Sequence, residues 1–279
     1  MESKLFSALQ ILLKKYHLTP RKDRMWGQHF LCDETVLAAI IHSAQIQPNE
    51  TILEIGPGPG VLTRKLLEAD ARVVAIEQDR QFERLLREEF GQSFTLVVGN
   101  ALTADWSAIG LQDNAFAIVA NIPYSITTPL FERMLVTPRP SRAILMIQRD
   151  VAIRIAAGPK HSDRGALSVI LQHQYAIEIL QVVPQKAFYP PPEVESAVVR
   201  MTPTNIPAPL GFAEFVRSGF RHRRKYLRSN LLQMHPLIGW PSAFQSLGID
   251  ERARPQDVSN MQWGMLYVLL TESGPNRFE

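Results

Sequence analysis

The four residues Asn121-Ile122-Pro123-Tyr124 carry the most specific chemistry in this sequence. The amide oxygen of an asparagine and the backbone carbonyl of the next residue can each accept one N–H from an exocyclic amino group. On a purine such a nitrogen is a poor nucleophile, because its lone pair is delocalised into the ring. Two acceptors favour the pyramidal form, whose lone pair can attack a methyl carbon. Pro123 fixes the backbone direction, and Tyr124 offers a flat face on which a base can stack. No general base of tuned pKa is needed, since the proton is lost after the nitrogen becomes cationic. Positioning and electrostatic stabilisation are then the main catalytic terms. Read alone, the tetrapeptide is equally an ordinary turn at the end of a strand.

Upstream lies Glu54-Ile-Gly56-Pro-Gly58-Pro-Gly60. Glycines at such a turn let the backbone bend sharply and let a ligand approach where a Cβ would clash. A dinucleotide fingerprint needs G-x-G-x-x-G, with the pyrophosphate on the helix N-terminus. Here the spacing is G-x-G-x-G, and Pro57 and Pro59 remove two N–H groups that would hold phosphate. Glu77, at the end of the next apolar run, can accept both hydroxyls of a ribose. The pattern favours a ligand with a ribose and no phosphate, S-adenosyl-L-methionine over NAD.

These residues need a scaffold that brings them to one edge. Apolar runs alternate with helical patterns from about residue 34 to 160, which predicts a parallel sheet with crossover helices. The expected strands are Thr51–Ile55, Arg72–Ile76, Phe94–Val98, Phe116–Ala120 and Ala143–Gln148. Helices are expected from Asp33, which can cap a face of Val36, Leu37, Ile40, Ile41 and Ala44, from about Val61, up to Phe90, and up to about Gly158. Gly165–Val183 reads as a helix running into a strand and Ala197–Met201 as a last strand, an antiparallel addition to the sheet edge. Asn121 then lies at the carboxyl edge of the sheet, where ligands bind in such folds. Beyond Pro203, Pro207 and Pro209 only helical patterns follow, Phe212–Gln233 and about Trp240–Leu270.

Composition bounds the rest. With 46% hydrophobic and 20% charged residues, the 279-residue chain reads as a globular protein. No apolar run approaches a membrane span. Leu5–Leu13 has the length of a signal segment, but Glu2 precedes it and no cleavage site follows. Leu5, Leu9, Leu12 and Tyr16 instead repeat at helical spacing. A single cysteine, Cys32, cannot form an intramolecular disulfide or a structural zinc site and suits a reducing cytoplasm; no metal is expected. The net charge of +3 is uneven: residues 1–30 hold six bases against two acids, and residues 205–279 nine against six. Basic ends around a near-neutral middle suit a polyanion held from its flanks, although a solvated surface looks the same.

Gly27-Gln28-His29-Phe30-Leu31, the glycine loop, Asn121-Ile-Pro-Tyr124 and Phe188-Tyr-Pro-Pro-Pro192-x-Val194-x-Ser196-Ala197-Val198-Val199-Arg200 follow one another in a recognisable order. Together they resemble the ribosomal RNA adenine N6,N6-dimethyltransferases from about residue 21 to 232. The last motif is more similar to the small-subunit KsgA/RsmA branch than to the Erm resistance branch. The resemblance implies S-adenosyl-L-methionine contacts from Gln28, His29, Leu31, Gly56, Gly58, Glu77, Asn100, Ala101 and Asn121. It implies a catalytic site of Asn121, Pro123, Tyr124 and Phe188, with Phe188 covering the second face of the target adenine. From the residues alone, Phe188 is more simply a core aromatic before a proline turn.

The chain departs from that pattern in two places. Asn100 stands where the family has Asp, and His29 where it commonly has Asn. The first twenty or so residues have no counterpart. Arg221, Arg223, Arg224, Lys225 and Arg228 fall in a predicted helix and resemble the family's RNA-binding region; a basic helix reads RNA backbone and shape.

The expectation is an α/β chain in three parts. These are an N-terminal extension (1–24), a Rossmann-like class I methyltransferase domain (25–204) and a small helical RNA-binding domain (205–279). Its reaction would be dimethylation of adenosine N6 in small-subunit ribosomal RNA. The partner would be that RNA within a small-subunit assembly intermediate, and the protein a cytoplasmic monomer. The rivals are a large-subunit enzyme of the Erm type, a DNA adenine methyltransferase, and an RNA-binding assembly factor with weak catalysis.

Overall fold

The β-branched and aliphatic runs become strands, and the charged amphipathic stretches between them become helices. The computed structural model describes residues 4–21, 27–204, 206, 209–234 and 239–273. Helix α1 (Lys4–Lys15) is followed by the short strand β1 (Phe30–Leu31) and helix α2 (Glu34–Ala44). Strand and helix then alternate through β2 (Thr51–Ile55), α3 (Val61–Glu68), β3 (Arg72–Glu77), α4 (Glu83–Phe90) and β4 (Phe94–Val98). Next come β5 (Ala117–Asn121), α5 (Thr127–Met134), β6 (Arg142–Gln148), α6 (Arg149–Ala156) and α7 (Ala166–Gln174). Strands β7 (Tyr175–Val183), β8 (Phe188–Tyr189) and β9 (Ser196–Pro203) follow. Helices α8 (Phe212–Gly219), α9 (Leu227–Met234), α10 (Trp240–Ser246) and α11 (Asn260–Ser273) complete the order.

The chain divides into two compact units. The first comprises Met1–Ala152 with Glu178–Thr202, the second Ile153–Ile177 with Pro203–Glu279. The second unit thus takes residues 153–177, which the sequence reading placed with the first.

The seven-stranded sheet runs β4-β3-β2-β5-β6-β9-β7. Its pairs from β4 to β6 are parallel, and β9 joins β6 antiparallel, with Gln148 opposite Ser196. Strand order reverses between β2 and β5, and a crevice opens at such a switch point. The glycine loop follows β2, and Asn121 ends β5. The topology therefore places them side by side.

Asp33 caps α2 by accepting the N–H groups of Thr35 and Val36 at 2.9 and 3.1 Å. Val36, Leu37, Ile40 and Ala44 are buried, whereas Ile41 is only partly covered. Helix α1 sets Leu9 and Leu13 against Phe30, Phe82, Leu86 and Phe90. Lys15 and Tyr16 both donate to Glu89 of α4. Among the described residues no helix is long and apolar enough to cross a membrane.

In the second unit the expected helix Phe212–Gln233 is broken. Helix α8 stops at Gly219, where a Cβ would sit 2.4 Å from the Trp263 ring. Buried Asn230 donates Nδ2 to the carbonyls of Gly219 and His222 at 2.7 and 3.2 Å, which satisfies the helix end and holds a turn. The basic residues from Arg221 to Lys225 therefore lie on a turn, and only Arg228 is helical.

Candidate active site

The strap before β1 is tied to the far end of the first unit by a two-residue antiparallel ladder, Phe30 opposite Tyr189 and Leu31 opposite Phe188. Around it, His29 Nδ1 meets the Pro190 carbonyl at 2.7 Å, and Cys32 N–H donates to the Ala187 carbonyl at 2.8 Å. Two of the sequence motifs are thus one structural unit. Burial pushes the Cys32 thiol up to about 11, so it stays a protonated core residue.

A cleft opens above this ladder at the switch point. Gln28, His29, Gly56, Gly58, Glu77, Asn100, Ala101, Asn121, Pro123 and Tyr124, all read as site residues, line it. Gly56 and Gly58 have φ of +67° and +53°, the left-handed region that L side chains rarely adopt. A Cβ at Gly58 would also press to 3.0 Å from the Phe30 ring. The backbone conformation requires glycine at both positions, and packing on Phe30 requires it again at Gly58.

Glu77 lies at the floor, 6% exposed. Its Oε2 accepts the Gly58 N–H at 2.9 Å and its Oε1 the Asp79 N–H at 2.7 Å. Burial raises its pKa to about 7, against the lowering by those two amides; the Asp79 charge adds to the rise. Each oxygen keeps lone-pair capacity for a ribose hydroxyl. Behind it, Glu54 is fully buried and accepts the Thr63 hydroxyl at 2.6 Å; burial pushes it to about 8. Glu54 thus supports the loop as a neutral acid near pH 7.

Asn121 Nδ2 donates to the His29 backbone carbonyl at 3.1 Å. That bond uses the donor end of the amide and leaves Oδ1 as acceptor. The Tyr124 ring lies next to the His29 ring, centroids 5.9 Å apart with planes at 30°. Its hydroxyl is 2.7 Å from Ser196 Oγ.

Two expected site residues do not line the cleft. Leu31 and Phe188 pack in the hydrophobic core, the latter 3% exposed. Phe188 stands under the strap, as the simpler sequence reading had it, and the ring beside Tyr124 belongs to His29. In the basic segment, Arg223 donates to the carbonyls of Ser162 and Arg164, and Arg228 pairs with Glu251 at 2.8 Å. These two side chains hold the second unit's own structure. Arg224 and Lys225 are exposed.

Sequence reasoning missed Asp79 and Ser196. Asp79 accepts from Gln28 Nε2 and Gln81 Nε2, each at 2.7 Å, and so fastens the strap to the loop after β3. Its place two residues after Glu77 was a visible signal. Ser196 lay inside the last motif, but nothing local links it to Tyr124.

A glycine cradle, an acid at the end of the second strand of the pair and a reactive turn at the switch point make this a Rossmann-like class I methyltransferase fold. The ribosomal RNA adenine dimethylase family model matches residues 20–271. The chain is 41% identical to ribosomal RNA small subunit methyltransferase A of Trichormus variabilis, over 90% of this chain and 98% of that one. A dimethyladenosine transferase from Plasmodium falciparum superposes with a TM-score of 0.74 at 23% identity, covering 88% of this chain and 98% of the other. The 23S rRNA methyltransferase ErmE gives 0.67 at 27% identity, covering 87% and 99%. The chain belongs to the ribosomal RNA adenine dimethylase family.

Proposed function

We propose that this protein methylates adenosine N6 twice in small-subunit ribosomal RNA, using S-adenosyl-L-methionine. The observation that carries the reading is the orientation of Asn121, whose donor end is held by His29 and whose acceptor end is left for an amino group. Gly56, Gly58, Glu77, Asn100, Ala101, Gln28 and His29 would hold the cofactor. A bare glycine cradle beside a buried carboxylate suits a ribose-bearing ligand without phosphate. S-adenosyl-L-methionine supplies an electrophilic methyl group and leaves as S-adenosylhomocysteine. In the first transfer Asn121 Oδ1 and the Ile122 carbonyl accept the two amino hydrogens, turning the nitrogen lone pair outward; in the second one of them accepts the single hydrogen left, and Tyr124 holds the base by stacking in both. The base must be unpaired or flipped out, because N6 is otherwise in the base pair.

The domain assignment supports this division of labour, with chemistry in the first unit and exposed Arg224 and Lys225 of the second offered to RNA phosphate. The substrate is placed in a cytoplasmic small-subunit assembly intermediate and the protein acts as a monomer. The small-subunit target rests on likeness to relatives named for that activity over nearly their whole length. Mass spectrometry of ribosomal RNA from cells with and without the gene tests the reaction; loss of dimethyladenosine from the small subunit is expected, and unchanged modification rejects it.

One observation favours a weakly catalytic RNA-binding assembly factor. Asn100 Oδ1 already accepts the Leu102 N–H at 2.9 Å, which leaves this residue less able to receive a cofactor amino group than an aspartate. Calorimetry of S-adenosyl-L-methionine binding separates the two readings, because a factor without catalysis does not need tight cofactor binding. Glu77→Ala serves as control and should lose about 1.5–3 kcal/mol of that binding.

A further inference from the structure

We propose that Ser196 is a positioning residue for methyl transfer, acting by pinning the hydroxyl of Tyr124. The inference rests on the reading of Tyr124 as the stacking face of the site.

Stacking on a base needs only a π-face, which phenylalanine supplies as well as tyrosine. A tyrosine here therefore carries an oxygen that stacking does not use. That oxygen lies 2.7 Å from Ser196 Oγ, across 72 residues of sequence. The anchor is rigid. Ser196 is completely buried at the start of β9, in antiparallel register with Gln148 of β6. Just before it, the Glu195 carbonyl accepts the Arg149 N–H at 2.9 Å, and the two side chains pair at 2.8 Å. Tyr124, by contrast, opens a short 3-10 turn, Tyr124–Ile126, at the end of a loop.

The ring is thus held at both ends, at its Cα by the turn and at its para oxygen by the central sheet. A phenol hydrogen bond also prefers the plane of the ring, so the contact restrains tilt as well as swing. The His29 ring lies beside it, centroids 5.9 Å apart with planes at 30°. Burial lifts the Tyr124 phenol above its ordinary value, so the hydroxyl stays protonated and bonded through the neutral range.

What this sets is the position of a stacked base relative to Asn121 Oδ1, three residues earlier. Reaction rates are sensitive to such placement: about 1 Å of misalignment costs on the order of 100-fold. An unpinned ring still stacks but presents the amino group over a wider range of angles. The loss should therefore fall on the rate and not on cofactor binding.

The test is single-turnover methylation of small-subunit RNA by Ser196→Ala, Tyr124→Phe, the double variant and Tyr124→Ala. Calorimetry of S-adenosyl-L-methionine binding and thermal unfolding are run on each. Both single variants should slow transfer by about tenfold or more at saturating RNA, with cofactor affinity unchanged. The double variant should be no slower than either, because each removes the same bond. Wild-type rates in Ser196→Ala or Tyr124→Phe, or losses that multiply in the double variant, overturn the proposal. If Ser196→Ala fails to fold, Tyr124→Phe, which deletes one oxygen, decides alone. If Tyr124→Ala transfers normally, the stacking reading itself fails; if only Tyr124→Ala is impaired, stacking stands and the Ser196 role is lost.

Discussion

Asn121 gives its amide N–H to the backbone carbonyl of His29, 92 residues away, and that one bond determines which end of the amide faces a substrate. An amide is ambivalent, with a donor and an acceptor separated by a half-turn. Tying the donor to a carbonyl on a strapped-down strand makes the acceptor the free end. His29 contributes through its backbone here, so a change from the family's usual asparagine leaves this contact intact.

Replacing Asn121 should therefore fall on the chemical step. In Asn121→Ala, kcat should drop on the order of 100-fold with KM for RNA nearly steady. Asn121→Asp should be as impaired, because a carboxylate has no N–H for the His29 carbonyl and is repelled by it. Single-turnover methylation at saturating RNA and cofactor checks both, with cofactor affinity measured alongside. A normal rate in Asn121→Ala removes this residue from the reaction.

Asn100→Asp should tighten S-adenosyl-L-methionine binding by about tenfold, the scale of one hydrogen bond to a charged group. One acceptor at this position is spent on Leu102. A carboxylate keeps that turn and adds a second oxygen for the cofactor's adenine amino group. Calorimetry reads the change; equal or weaker binding in the variant means that position 100 does not meet the amino group.

Stability should depend on pH through Glu54. Its carboxyl shifts from an ordinary 4.5 to about 8 in the folded chain, chiefly by burial, with the nearby Glu77 charge adding to the rise. The folded state thus binds the proton more tightly than the unfolded state. The stability this contributes is complete below about 4.5 and is lost as pH rises through about 8. Glu54→Gln stays neutral and should flatten that decline. Variant and wild type should differ more at pH 8.5 than at pH 5, by a few degrees in Tm at about 2–4 °C per kcal/mol. Parallel Tm curves across this range contradict a neutral Glu54.

The basic turn should separate into two kinds of residue. Arg224→Ala and Lys225→Ala should each lower the log–log salt slope of RNA binding by about 0.7–0.9, the loss of one phosphate contact. Arg223→Ala should instead lower Tm, because the Ser162 and Arg164 carbonyls lose their donor. If the slope is unmoved when Arg224 and Lys225 are both replaced, this turn does not touch the phosphate backbone.

Much of the first unit was legible because its signals are local. Five parallel strands and the glycine loop show in runs of Val, Ile and Ala bounded by turn residues, and the observed bounds differ by a residue at most. What stayed hidden depends on contacts between distant segments. Strands β1 and β8 have two residues each, too few to show a period, and exist because their partner is there. The break after Gly219 is made by Asn230, eleven residues later, and by Trp263. Helical spacing through the basic segment could not reveal either. Phe188 and Leu31 sit in motifs beside the site, but the ladder turns their side chains into the core.

The ladder joining Phe30 to Tyr189 also orders events during synthesis. A ribosome adds roughly 5–20 residues per second, so β1 waits roughly 10–30 s for its partner. By the last third of that interval the nascent chain contains the glycine loop, Glu77 and Asn121, yet His29 still has no Pro190 carbonyl to fix it and cannot hold Asn121 in place. Pairing across so long a loop forms late in folding. A chain cut short before Pro190 would keep the residues of the cofactor cleft and lack the clasp that shapes them, so partial products are born silent.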